Sequence, residues 1–256
     1  MKPSICILGA VRQEISGLKS RMHVEEQIRL GKSDLWRGTL EDQPVILVRT
    51  GIGKKNAVAS LAGVMDRFPL GMILSIGYAG GLNPDLDVGD LLIADKILDG
   101  VGQPSQTTSS ASWAIDSALV DRAMAVPVGQ KAKATQGQLL TVDQVVADPE
   151  EKQKLYNQSG AMAVEMETSA LVQLAQEKAI PFLSIRAISD TANEELLDVS
   201  PFVSPDGEVS KLKAGWYVAT HPSSLKLLNT LRQHASRATN VLNDFVFRLI
   251  LANPEP

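Results

Sequence analysis

The chain has 256 residues, 44% hydrophobic and 21% charged, with 19 glycines, 13 prolines and a formal net charge of −4. That length and composition suit one large globular domain over residues 1–256, and the scattered Lys and Arg exclude a nucleic-acid partner held through its phosphates. A lone cysteine, Cys6, excludes an intrachain disulfide framework and fits a reducing cytoplasm.

No apolar run is long enough to span a membrane, and the start MKPSICILGA is too quickly interrupted to serve as a signal peptide. His23, His221 and His234 lie far apart and no metal-ligand spacing occurs, so neither metal nor cofactor is expected.

In chain order, short apolar runs end in glycine or an acid. SICIL (4–8) leads into GAVRQE, VILV (45–48) into RTGIGKKNA, MILSI (72–76) into GYAGG, and PFLSIRAI (181–188) into SDTA. Helical patterns occupy 54–67 and 165–179. The alternation predicts an α/β fold around a mainly parallel or mixed sheet. Ligands of such sheets sit beyond the carboxyl ends of the strands, where Glu14, the glycine loops and Asp190 all fall.

The Ser/Thr-rich stretch 101–117 reads as a solvent loop or a mobile lid. A helix is expected after Asp148 as N-cap, with Pro149 in its first position and Glu151 three residues past the cap. PFVSPDGEVSK (201–211) reads as a turn-rich excursion. Over about 222–251, Leu225, Leu228, Leu231, Ala235, Ala238, Leu242, Phe245 and Leu249 mark an amphipathic helical segment that closes the core or contacts a second copy.

TGIGKKNA (50–57) lacks phosphate-loop spacing, and Asn56 stands where a dinucleotide fingerprint needs glycine, so it reads as a strand-to-helix turn. GYAGG (77–81) allows the backbone to approach a ligand closely or simply to turn. In AVEMETSALVQLA (163–175), Glu167 shares a helical face with Ala170, Leu171 and Leu174, while Glu165 lies on a mixed face. A core-facing carboxylate needs a partner. Arg186, inside the apolar SIRAI, needs one too, and a buried acid such as Glu167 would satisfy it. Asp190, at a strand mouth beside Ser189, suits either a turn-capping acid or a reactive one. Glu14, Glu167, Arg186 and Asp190 together form a candidate acid/base site.

The pieces ILGAVRQEI, VRTGIGKKNA, IGYAGGLNPDLDVGDLLIAD, AVEMETSALV and PFLSIRAISDTA, spread from residue 5 to about residue 195, resemble the nucleoside phosphorylase/nucleosidase superfamily. The resemblance implies a single α/β/α domain around a central mixed sheet, assembled as a homo-oligomer and most simply a dimer. It implies cleavage of the N-glycosidic bond of a purine nucleoside, as in methylthioadenosine/S-adenosylhomocysteine nucleosidases.

By motif, Asp190 would protonate the departing purine beside Ser189, Glu167 would accept hydrogen bonds from the ribose diol, and Met166 would pack on the sugar. Glu14 would activate water and Arg186 would order it, with Tyr78, Gly80, Val145 and Val146 lining the pocket. The chain departs from the pattern at Tyr78 (serine in the hydrolytic branch), at Val145 (an aromatic that stacks on the base) and at Ser75 (an arginine in hexameric phosphorylases).

Arg12 and Arg49 could supply inorganic phosphate contacts, which keeps phosphorolysis as the alternative. TVDQVVADPEEKQKLYNQSGAMAVEMET and the PDGEVSKLKAGWYVATHPSSLKLL tail look like the hopanoid-associated phosphorylase branch, which acts on an adenosyl-lipid. A non-catalytic nucleoside-binding protein is the rival from another class.

Overall fold

The structure, a computed structural model, describes residues 2–101, 108–129, 132–196 and 224–252. Among these residues ten strands form one mixed sheet: β1 (Ser4–Gly9), β2 (His23–Leu30), β3 (Ser33–Leu40), β4 (Gln43–Arg49), β5 (Leu70–Gly81), β6 (Leu91–Val101), β7 (Thr108–Ala114), β8 (Ala134–Thr141), β9 (Ala163–Glu165) and β10 (Phe182–Asp190). Among the described residues six helices accompany them: α1 (Arg12–Arg21), α2 (Lys54–Met65), α3 (Ser117–Met124), α4 (Pro149–Ser159), α5 (Thr168–Glu177) and α6 (Ser224–Ala252).

The twelve-residue β5 organises the sheet. Its first half pairs in parallel with β1, its length pairs in parallel with β10, and its Gly80–Gly81 end pairs antiparallel with β9. Because β10 also pairs with β6, β6 with β8, and β8 with β9, these five strands close a circuit. β1, β4, β3 and β2 extend the sheet outward from it.

Central strands such as β1 and β4 are covered on both faces and read as continuous apolar runs, as buried parallel strands do. The largely exposed β2 forms the edge, and its hairpin to β3 turns through Gly31 at φ +59°, a left-handed conformation that glycine adopts without strain.

All four apolar runs singled out in the sequence are strands, and their carboxyl ends meet on one side of the sheet. α4 starts as its sequence predicts: Asp148 accepts from the Glu150 N–H at 2.8 Å, Pro149 opens the helix, and Gly160 closes it at φ +65°. Three expectations are corrected. The second helical pattern begins at Thr168 rather than 165, because Ala163–Glu165 are strand β9. The first ends at Met65, short of 67. Thr108–Ala114, read as loop or lid, is strand β7 against β6, its register fixed by pairs such as Ile97 with Trp113. Residues 102–107 of that stretch and the excursion at 201–211 lie outside the described residues.

α6 buries Ala238, Leu242, Phe245, Val246, Leu249 and Ile250 and packs on α1 and β10. The apolar stripe therefore closes the core from Ala238 onward; the side chains of Leu225, Leu228 and Leu231 lie outside the description. No helix among the described residues is long and apolar enough to cross a membrane.

Candidate active site

A cavity of about 240 Å³ opens at the carboxyl ends of β1, β5, β9 and β10. Glu14, Tyr78, Gly80, Val145, Val146, Met166, Glu167, Ser189 and Asp190 all line it, joined by Glu165, Gln144 and Leu196, which sequence reasoning did not select. Backbone from five separate parts of the chain thus brings nine of the twelve predicted site residues to one surface.

Glu14 arrives on the first turn of α1 and is 5% exposed. Its Oε2 accepts from the backbone N–H groups of Ala10 (2.6 Å) and Val11 (2.9 Å), and its Oε1 from that of Tyr78 (2.9 Å). Burial pushes the carboxyl above its ordinary range; those three donors and the Arg186 charge offset the push only in part. Glycine is required at residue 77, where a Cβ would stand 2.7 Å from Glu14 Oε1. From the other end of the molecule, Asn243 of α6 donates to the Glu14 carbonyl at 3.0 Å and accepts from the Leu18 N–H at 2.9 Å, fastening α1 to α6.

The partner of Arg186 is Glu165, with Nη2 and Oε2 3.1 Å apart, and not Glu167. Counting a helical period back through residue 165 fails here, since the chain is still extended at that point. Glu165 ends β9 with its carboxylate at the head of α5, accepting from the N–H groups of Glu167 (3.0 Å) and Thr168 (3.0 and 3.1 Å) and from the Thr141 hydroxyl (2.6 Å). Burial would raise its pKa, but Arg186 and these donors outweigh it and hold the carboxyl below the usual range. Arg186 Nη2 also donates to Ser75 Oγ (2.8 Å) and Thr168 Oγ1 (2.6 Å), so Ser75 serves as its hydroxyl partner.

Glu167 therefore stands outside that ion pair. It occupies the N-cap position of α5, and its Oε1 accepts the Gly53 N–H at 2.7 Å, which makes the TGIG turn a binding loop for an acid of the chain itself. Burial, together with the neighbouring Glu165 charge, pushes its carboxyl up to about 8. A carboxyl so placed can both donate and accept near neutral pH.

At the far wall, Asp190 is 4% exposed. Ser189 Oγ donates to Oδ1 at 2.6 Å, and Lys152 Nζ donates to Oδ2 at 2.7 Å. Lys152 went unnoticed in the sequence; the available signal was its i, i+3 spacing with Leu155 on the inward face of α4. Tyr78 turns its hydroxyl away to bond Thr239 Oγ1 on α6, leaving its backbone N–H, rather than a side-chain hydroxyl, facing Glu14. Val145 is 40% exposed at the rim.

Arg12 and Arg49 stand apart from the cavity lining. Arg12 is exposed on α1, and the Arg49 guanidinium binds Asp34 Oδ2 through Nη2 (2.6 Å) and Nε (3.1 Å). Behind the cavity lies a second void of about 10 Å³, room for one water, lined by Glu14, Glu167, Arg186, Ser75 and Tyr78 among others. Arg186 Nε is buried without a hydrogen-bond partner among the described residues. No group of three or more His, Cys, Asp or Glu side chains among the described residues is arranged to hold a metal ion.

Residues 4–210 match the family model of the phosphorylase superfamily. The chain is 31% identical over 200 residues to a 5′-methylthioadenosine/S-adenosylhomocysteine nucleosidase of Staphylococcus aureus (strain MRSA252), an alignment covering 75% of this chain and 88% of that one. Its fold is similar to that of a methylthioadenosine/S-adenosylhomocysteine nucleosidase from Colwellia psychrerythraea in complex with adenine (TM-score 0.75, 22% identity, 98% of this chain and 96% of that one). The native futalosine hydrolase of Helicobacter pylori is similar in fold as well (TM-score 0.71, 24% identity, 95% and 97% covered).

Proposed function

The chain belongs to the phosphorylase superfamily, and on that premise we propose that it is a nucleosidase that hydrolyses the N-glycosidic bond of a purine nucleoside of the methylthioadenosine/S-adenosylhomocysteine type. The observation that carries hydrolysis is the void of about 10 Å³ shared by Glu14, Glu167 and Arg186. It adjoins the main cavity through Ala10, Glu14, Tyr78 and Glu167, which line both. Its acid beside a buried guanidinium suits a water that is to be deprotonated.

In this reading the purine lies toward Val145, Val146 and Asp190, and the ribose diol meets Glu167 beside Met166. As the C–N bond lengthens, its electron pair moves to the base, a ring nitrogen takes the proton of Asp190, and positive charge grows on the ribosyl group. The Glu14 carboxylate on the cavity wall stabilises that charge. Water adds to the sugar carbon and yields its proton to Glu14, whose burial makes it a stronger base once ionised. Three backbone donors hold Glu14 in one orientation, so little reorganisation is needed at the moment of attack.

Hydrolysis is favoured over phosphorolysis because Arg49 is engaged with Asp34 and neither Arg12 nor Arg49 lines the cavity. The reading includes a cytoplasmic homodimer; a single monomeric boundary in sedimentation velocity would set the dimer aside. Glu14→Gln tests the water step: base release in phosphate-free buffer is lost while adenine binding survives. A variant as fast as the parent would contradict it.

A further inference from the structure

Helix α4 turns a lysine into the protein. The Lys152 side chain is 0% exposed, and a buried ammonium is costly unless its donors are satisfied. Its three protons meet three oxygens: Asp190 Oδ2 at 2.7 Å, the Thr191 carbonyl at 2.8 Å and the Glu194 carbonyl at 2.9 Å. Lysine has three donors and no acceptor, so this set exhausts it and fixes the ammonium in place.

Capping the two carbonyls of a turn needs only a neutral donor. The third contact falls on a side chain that lines the substrate cavity. Ser189 Oγ holds the other oxygen of that carboxyl at 2.6 Å, and a Cβ at Gly80 would crowd Oδ2 at 3.0 Å. The Asp190 carboxyl is thus gripped at both oxygens, with space kept clear beside it.

We propose that Lys152 is a positioning residue for protonation of the leaving base. It holds the Asp190 carboxyl toward the cavity and stabilises the carboxylate that remains once the Asp190 proton has passed to a purine ring nitrogen. No proton leaves Lys152; the C–N electron pair goes to the base, and the negative charge left on Asp190 faces an ammonium 2.7 Å away. The same ammonium ties the turn after β10 to α4. That turn carries Leu196, which lines the cavity and donates its N–H to the Ala147 carbonyl at 3.0 Å, so one group holds both the acid and part of the wall.

The inference rests on Asp190 as general acid, and the test separates the two. Rates are measured with methylthioadenosine, whose adenine needs a proton to leave, and with p-nitrophenyl β-D-riboside, whose phenolate leaves without one. Their ratio is internal to each preparation, so any unfolded fraction cancels. Lys152→Met and Lys152→Gln each lower the ratio by ~10²-fold, as Asp190→Asn does. An unchanged ratio in both lysine variants, beside a lowered one in Asp190→Asn, overturns the role of Lys152. A ratio unmoved by Asp190→Asn removes the general-acid reading itself, and the role of Lys152 with it.

Discussion

Arg186 and Glu165 face each other at 3.1 Å with side chains only 3% and 2% exposed, and this pair, flanked by Ser75 and Thr168, forms the floor under the candidate site. Breaking one side of such a pair strands the other charge in the interior, which costs about 3–5 kcal/mol. Arg186→Met should lose that much stability by urea unfolding. A loss below about 1 kcal/mol would mean that Glu165 is adequately held by its hydroxyl and N–H donors alone.

Glu167 should give the folded protein a pH dependence of opposite sign to that of a salt-bridged acid. Its carboxyl, ordinarily near 4.5, is pushed up to about 8, so the folded state binds more protons than the unfolded chain between those values. Stability therefore falls as pH rises across that window. Glu14, raised by burial, adds to the fall, whereas Glu165 is lowered and contributes stability that is lost only in acid. The melting temperature of Glu167→Gln should change less than that of the parent between about pH 5 and about pH 8; parallel curves would contradict the assignment. The same variant should weaken riboside binding far more than free adenine binding.

Asp190→Asn should lower turnover of a purine nucleoside by at least ~10²-fold if the residue supplies the leaving-group proton. Steady-state adenine release measures it, and rates like the parent's would remove Asp190 from that role.

Val145, 40% exposed at the rim, offers the base an aliphatic surface and no ring. Stacking on an aromatic side chain is worth about 1–3 kcal/mol per base. Val145→Phe should therefore tighten adenine binding by ~5-fold or more in calorimetry. Unaltered affinity would place the base elsewhere in the cavity.

The strands and their chemistry were legible wherever burial made the sequence monotonous. SICIL, VILV, MILSI and PFLSIRAI are largely buried in the structure, and Glu14, Tyr78 and Asp190, which follow three of them, line the cavity. Other elements lacked that signature. β2 is an exposed edge strand, HVEEQIRL, whose apolar alternation is confined to Ile28 and Leu30, and the serines of β7 resemble a loop until β6 supplies their hydrogen-bond partners. Arg186 was correctly read as needing a buried acid, yet the choice between Glu165 and Glu167 depended on where strand β9 gives way to α5. A helix start three residues later than the pattern suggests decides which carboxylate meets the guanidinium and which is left for a ligand. Lys152 was missed for a related reason: a lysine on a helix reads as solvent-facing unless the helix is already docked.

The most direct test of the account is chromatography of purified protein incubated with methylthioadenosine, with and without inorganic phosphate, following both the base and the sugar. Hydrolysis predicts adenine and the free methylthioribose sugar at the same rate in either buffer. Adenine released only with phosphate, alongside a sugar 1-phosphate, would contradict the water-activating role of Glu14 and return attention to Arg12 and Arg49.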